Sequence, residues 1–186
     1  MPVPPPANAK KAFEGKMATV YVWPQLMYDG STRQFECYVR QDTVAVIAFL
    51  DRDHVLLVRQ TQPGRNEFLD PPGGLVDPGE TPERAARREL LEETGHRAGH
   101  LELWCSDRYE GITRFEEFIF VARDLEMTGM ENPELAGEKI ALEPTDWKRA
   151  VDICLARGMR RNDAMLAILG MEFDPEQRAR LDAFLK

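Results

Sequence analysis

Glu89, Glu92 and Glu93 stand at i, i+3 and i+4 in the segment GLVDPGETPERAARRELLEETGH, residues 74 to 96. On a helix, those spacings put three carboxylates on one face. Like charges that close repel one another and need relief. Water can supply it on a solvated helix face. A hard divalent cation such as Mg2+ or Mn2+, which prefers oxygen ligands, can supply it too. Arg88 precedes Glu89 and lies four residues before Glu92, so it can hold a carboxylate in place. The turn Asp70-Pro-Pro-Gly-Gly74 leads into the segment, and glycine lets a backbone carbonyl approach an ion closely.

The wider spacing favours the cation. It runs Gly74, five residues, Glu80, seven residues, Arg88-Glu89, the aliphatic Leu90, one residue, Glu92-Glu93, one residue, Gly95. At roughly 6% frequency per fixed position, a chance match in such a chain has a probability on the order of one in a million.

The elements that must position these acids are also legible. Thr81 is an N-cap residue, Pro82 suits the first helical position and Glu83 puts an acid in the first turn. Gly95 is a stop signal, so the helix spans about 82–94. Before it, Met17–Trp23 and Gln34–Arg40 read as strands around the turn Tyr28-Asp-Gly-Ser31. Thr43–Leu50 and His54–Gln60 read as a hairpin of buried strands, and Thr61–Asp70 as a polar loop. After the helix, strands are expected at Leu101–Ser106, Phe115–Ala122 and Lys139–Leu142. Helices are expected at Asp146–Arg157, Asp163–Leu169 and Pro175–Leu185. This order suggests a mixed sheet flanked by helices. Residues 1 to about 16, rich in Pro, Ala and Lys, read as a loose arm.

Residues 74 to 96 resemble the Nudix box and match it everywhere except at the last position, where the family usually has an aliphatic residue and this chain has His96. The resemblance implies a Nudix fold: an α/β (α+β) architecture, an α/β/α sandwich with a mixed sheet, here preceded by an N-terminal β-strand extension. It implies Mg2+- or Mn2+-dependent hydrolysis of a nucleoside diphosphate linked to another moiety. By the same resemblance, Glu89, Glu92, Glu93 and the Gly73 carbonyl hold the metal. Glu93 and Arg88 belong to the catalytic set, and Gly74, Glu80 and Gly95 are structural members of the box.

More loosely, the likeness extends over residues 43–170. Val55–Pro63, Asp70 and Gly137-Glu-Lys-Ile140 resemble the ADP-ribose and nucleotide-sugar pyrophosphatase branch. In that branch a loop glutamate well after the box orients or deprotonates the attacking water, and Glu138 matches it best. Strictly ADP-ribose-specific members usually carry a proline some way after the box, where this chain has Gly111 and Ile112. The substrate range therefore stays open to other nucleotide sugars. Trp23 and Tyr21 are candidates to stack on a base, although core or interface packing is the commoner role for either residue alone. Arg40, Arg59 and Arg65 are candidates for contacts with phosphate or sugar, and by the resemblance Asp70 is a further substrate-binding candidate. Branch members are commonly homodimers that exchange N-terminal strands, a role residues 17–40 could fill. The implied organisation is an N-terminal arm with antiparallel strands over 1–42 and a hydrolase domain over 43–186.

Bulk properties narrow the alternatives. The 32 acidic against 24 basic residues give a net charge of −8, which argues against a nucleic-acid partner. A polyphosphate substrate would need local cations, and bound metal ions are the simplest source. Val44–Leu50 is the longest apolar run, too short to span a bilayer. The N-terminal stretch lacks an apolar core of signal-peptide type, and Cys37, Cys105 and Cys154 are scattered and odd in number. The expectation is a cytoplasmic protein. Arg157–Arg161 reads as a solvated basic helix end. No zinc motif, phosphate-cradling loop or nucleophile elbow is present. Three functions remain: a nucleotide-sugar pyrophosphatase, a Nudix enzyme acting on a dNTP, a dinucleoside polyphosphate or an RNA 5′ end, and a nucleotide-sensing module without turnover. The full set of box carboxylates favours an enzyme over a sensor.

Overall fold

Every side chain of β4 (Thr43–Phe49) is buried, because a helical layer covers each face of the strand. Val44, Val46 and Ala48 point to one side, against Ala85, Ala86 and Leu90 of α1 (Pro82–Thr94). Ala45, Ile47 and Phe49 point to the other. They join Ala150 and Val151 of α2 (Trp147–Leu155), Ile168 and Met171 of α3 (Asn162–Phe173) and Leu181 of α4 (Pro175–Phe184). A strand covered on both faces reads as a continuous apolar run. The result is the expected α/β/α sandwich around a mixed sheet. The structure is a computed structural model that describes residues 4–61, 63–64, 66–129 and 139–186.

Among the described residues, the sheet path is β1 (Lys10–Glu14), β2 (Ala18–Leu26), β3 (Thr32–Arg40), β8 (Thr113–Met127), β4, β5 (His54–Thr61) and β6 (Phe68–Asp70). Off this path, β7 (His96–Glu110) pairs with β8, and β9 (Lys139–Asp146) pairs with β5. The β4–β8 pairing is parallel, with Thr43 beside Glu117 and Ala48 beside Ala122. This register brings an acid from β8 next to the strand to which the glycine turn is hydrogen-bonded.

Besides longer spans for β9 and α3, the sequence reading differs from the structure at three places. Lys10–Glu14, expected in a loose arm, pairs antiparallel with β2 from Lys10 opposite Val22 to Glu14 opposite Thr19. All five residues of β1 are exposed, so no buried face marked them as a strand. The second difference is Phe68–Asp70, expected in a polar loop, which pairs with Val58–Gln60. Third, β7 and β8 extend well beyond the apolar windows that signalled them, forming a long hairpin with a register shift between Leu103 and Cys105. Their outer halves alternate with charged residues and carry a weaker strand signal.

Candidate active site

The box helix forms as its caps dictate. The Thr81 side chain accepts the Arg84 N–H at 3.3 Å. Gly95 closes the helix at φ 71°, a left-handed conformation that glycine adopts without penalty, and its N–H donates to the Leu91 carbonyl at 2.8 Å. Leu90 seats the helix on the sheet, and Glu89 and Glu93 reach the glycine turn. His96, the one departure from the box pattern, is buried, and its ring Nδ1 lies 2.9 Å from the Thr94 carbonyl.

The turn itself is hydrogen-bonded to β4. Val46 N–H donates to the Pro72 carbonyl and Val44 N–H to the Gly74 carbonyl, both at 2.9 Å. Close approach bears on two glycines, at Gly73 against backbone and at Gly74 against a side-chain end. A side chain at Gly73 would strike the Val44 carbonyl, and one at Gly74 would strike the Glu89 carboxylate.

Arg88 is the organiser of the helix face. Its guanidinium donates to both Glu80 oxygens at 3.2 and 2.9 Å, to Glu89 at 2.7 Å, to Glu92 at 3.1 Å and to the Leu75 carbonyl at 2.9 Å. These partners, Glu80 first, hold its proton more firmly than usual. Glu93 turns inward and is 8% exposed. It accepts the Gly73 N–H at 2.9 Å and the Gln60 side-chain amide at 2.7 Å. Burial pushes its carboxyl up to about 8, with the Glu89 carboxylate adding to the rise. Burial also raises Glu89, against the pull of Arg88.

Glu89 and Glu93 line a cleft of about 680 Å3. Its opposite wall comes from distant segments. Glu117 of β8, 8% exposed, accepts from Arg161 at 3.1 Å. Arg161 also donates to the Gly73 carbonyl at 2.7 Å. Asp163 at the start of α3 accepts the Tyr109 hydroxyl at 2.6 Å. Tyr109 stacks on Phe115 with ring centroids 4.5 Å apart, and Arg40 lies 3.6 Å over the Phe115 ring. Burial raises the Glu117 carboxyl, with Asp163 adding and Arg161 opposing. The buried Thr43 hydroxyl lines the same cleft without a hydrogen-bond partner among the described residues.

The donor chemistry of the helix face fits a hard divalent cation. Carboxylate oxygens are its preferred ligands, and two of these carboxyls are buried where only a proton or a cation can balance their charge. Among the described residues no three metal-ligating side chains are grouped as they stand. Arg88 holds Glu89 and Glu92, while Glu93 faces the turn.

The substrate candidates named from sequence divide. Arg40 lines the cleft. Asp70 does not: it is 1% exposed and accepts the backbone N–H groups of Arg160 and Arg161 at 2.8 and 3.0 Å, so it anchors the chain instead of meeting a ligand. Arg59 is tied to Glu67 and Glu143 outside the cleft lining. Trp23 packs on Phe35 at 6.0 Å and lines a separate groove with Asn8, Lys10 and Arg33. Arg65 and Glu138 lie outside the described residues.

The basic run at 157–161 corrects the sequence reading. Arg161 is not a solvated helix end: its side chain is 12% exposed and faces the acids of the cleft. Sequence reasoning also passed over Gln60, Tyr109, Glu117 and Asp163. A polar residue ending the buried run of β5, and an acid inside the apolar stretch 115–122, were the available signals.

Comparison with known proteins agrees with this geometry. The NUDIX domain family matches residues 39–164, more than half of the chain, and the chain belongs to that family. Nudix hydrolases generally use a divalent metal. An ADP-ribose pyrophosphatase of Bacillus subtilis is 33% identical over 93 residues, which are 50% of this chain and 50% of that protein. An ADP-sugar pyrophosphatase of Mus musculus is 44% identical over 61 residues, 30% of this chain and 28% of that protein. The chain thus spans half or less of the length of these relatives. The crystal structure of an ADP compounds hydrolase superposes with a TM-score of 0.76, at 22% identity, over 94% of this chain and 95% of that one, a likeness of fold.

Proposed function

We propose that the protein hydrolyses the pyrophosphate bond of a nucleoside diphosphate sugar such as ADP-ribose, releasing a nucleoside monophosphate and a sugar phosphate. The observation that carries this reading is the cleft. One wall presents the box carboxylates Glu89 and Glu93, and the other presents Arg40, Arg160 and Arg161. A diphosphate is the substrate group that needs both, metal-borne charge on one side and guanidinium forks on the other. The ADP-ribose and ADP-sugar pyrophosphatases among its relatives support the same substrate class.

Glu89, Glu92 and Glu93 would hold Mg2+ or Mn2+, which would neutralise the diphosphate and lower the pKa of bound water. The chain's own contributions are orientation and charge. Arg88 fixes Glu89 and Glu92 in place. Gln60 and the Gly73 N–H fix Glu93. Arg40 over Phe115 offers a flat cationic surface at the far end of the cleft. Glu138 is our choice for the residue that orients or deprotonates the water; Glu138→Gln should slow turnover with little change in KM, and an unchanged kcat would move that role elsewhere.

We further propose a cytoplasmic homodimer built through the N-terminal strands, with residues 1–42 as the dimerising extension and 43–186 as the hydrolase domain. Exposed Phe13, Leu26 and Phe35 on β1–β3 support the dimer, and the three free cysteines support the compartment. No helix among the described residues is long and apolar enough to cross a membrane.

The decisive experiment incubates the protein with Mg2+ or Mn2+ and ADP-ribose, GDP-mannose, UDP-glucose, diadenosine polyphosphates or dNTPs, and identifies the products. AMP and ribose 5-phosphate from ADP-ribose are expected. Turnover confined to dNTPs or dinucleoside polyphosphates would replace this reading, and absence of turnover on all of them would favour a binding module.

A further inference from the structure

Arg161 is a largely buried cation set among the acids of the cleft. Its guanidinium bridges Glu117 at 3.1 Å and the Gly73 carbonyl at 2.7 Å. That carbonyl belongs to the turn against which Glu89 and Glu93 pack.

The placement is built by the fold. Buried Asp70 on β6 accepts the N–H groups of Arg160 and Arg161 and the Arg160 Nε, at 2.8, 3.0 and 3.2 Å. Leu69 of the same strand bridges to Met159 in parallel register. The backbone of Arg161 is therefore fixed at the lip of the cleft, while its side chain extends into it. Its Nε is buried and makes no hydrogen bond among the described residues, so the side chain is held only through its two terminal nitrogens. A buried donor without a partner costs free energy in the observed position and lowers the cost of leaving it.

Resting on the divalent-metal reading above, we propose that Arg161 is an internal stand-in for that metal. Its guanidinium occupies the Gly73 carbonyl and balances the buried carboxylates until a divalent cation takes over both tasks. Arg161 then vacates the carbonyl but stays tethered by Asp70 at the cleft, where the diphosphate is the anion it can meet. Two cations cannot share one carbonyl at hydrogen-bonding distance without strong repulsion.

Occupancy and charge are separable by substitution. Arg161→Lys keeps the charge, but an ammonium is a single point and cannot span Glu117 and the Gly73 carbonyl as the fork does. The test is Mn2+ binding to the full chain without substrate, followed by the electron paramagnetic resonance of free Mn2+. Arg161→Lys is expected to bind Mn2+ about fivefold tighter than the wild type, the change expected from no longer breaking one net hydrogen bond. Arg161→Gln should tighten binding at least as much. Tightening in Arg161→Gln with none in Arg161→Lys would show that charge acts alone, and would overturn the proposal. Unchanged or weaker binding in both variants would overturn it too, even where hydrolysis by the wild type proves the metal reading right. If neither the wild type nor the variants bind Mn2+, the metal reading fails and takes this inference with it. A second measurement needs no variant: the guanidinium protons of Arg161 in 15N-labelled wild type should exchange faster with solvent once Mg2+ is added. Exchange that stays as slow, or slows further, would equally overturn the proposal.

Discussion

The two walls of the cleft are made in opposite ways. The box wall is local: Glu80, Arg88, Glu89, Glu92 and Glu93 lie within fourteen residues, on one helix and the loop before it. Its geometry follows from the helical period and from two caps. The facing wall is assembled from β3, β7, β8 and the start of α3, through Arg40, Tyr109, Glu117, Arg161 and Asp163. It exists only once β8 lies parallel to β4 and once Asp70 has captured the backbone at 160–161. A reaction type can therefore sit on the local wall while substrate preference varies on the assembled one, because the assembled wall changes without disturbing the helix.

The largest effect should come from the local wall. Glu93→Gln removes the charge of the acid that both Gln60 and the turn hold in place, and it should lower divalent-metal-dependent turnover by about three orders of magnitude or more. The melting temperature should not fall, since an amide is cheaper to bury than a carboxylate. Steady-state product formation and thermal melts check both halves; a variant with wild-type rates would move the chemistry off this helix.

Next in size are changes to how each wall is anchored. Leu90→Ala empties a fully buried position under the box helix and should cost about 2–5 kcal/mol in urea unfolding. Asp70→Ala removes the buried acceptor of the Arg160 and Arg161 N–H groups and should cost about 2–3 kcal/mol. The two should differ in kind. Asp70→Ala should alter the profile across nucleotide substrates at conditions where the protein stays folded, whereas Leu90→Ala should scale all substrates alike. Equal profiles in the two variants would erase the distinction between the walls.

A medium effect links metal to pH. The Glu93 carboxyl is pushed up to about 8 by burial, against an ordinary value of 4.5. The folded state therefore holds this proton more tightly than the unfolded chain does. Its contribution to stability is fully present below pH 4.5 and is lost as the pH rises through about 8. After metal is stripped with a chelator, the melting temperature should fall between pH 6 and pH 9, and Mn2+ should restore more of it at the upper end than at the lower. A metal-induced rise that is the same at both ends would contradict this linkage. The smallest effect is Thr81→Ala, which removes only the N-cap and should cost about 1 kcal/mol while leaving the substrate profile intact.

The box helix was readable in the sequence because everything that shapes it lies close along the chain. Thr81, Pro82 and Gly95 set its ends, and both ends fall where those residues predict. The burial of β4 and β5 was readable for the same reason, since a strand covered on both faces declares itself as an apolar run. Such runs are silent about partners. Nothing local says that Thr43 will stand beside Glu117, or that Arg161 will reach the Gly73 carbonyl. Arg161 has the look of a surface arginine in sequence, and Asp70 the look of a ligand residue. Their roles change because Asp70 is buried under the segment that carries Arg160 and Arg161, and a buried carboxylate must find donors. Helical period and capping, which act over a few residues, fixed the acids of the box from the sequence alone. Strand register and long-range capture, which act between segments as much as 91 residues apart, decided what faces them.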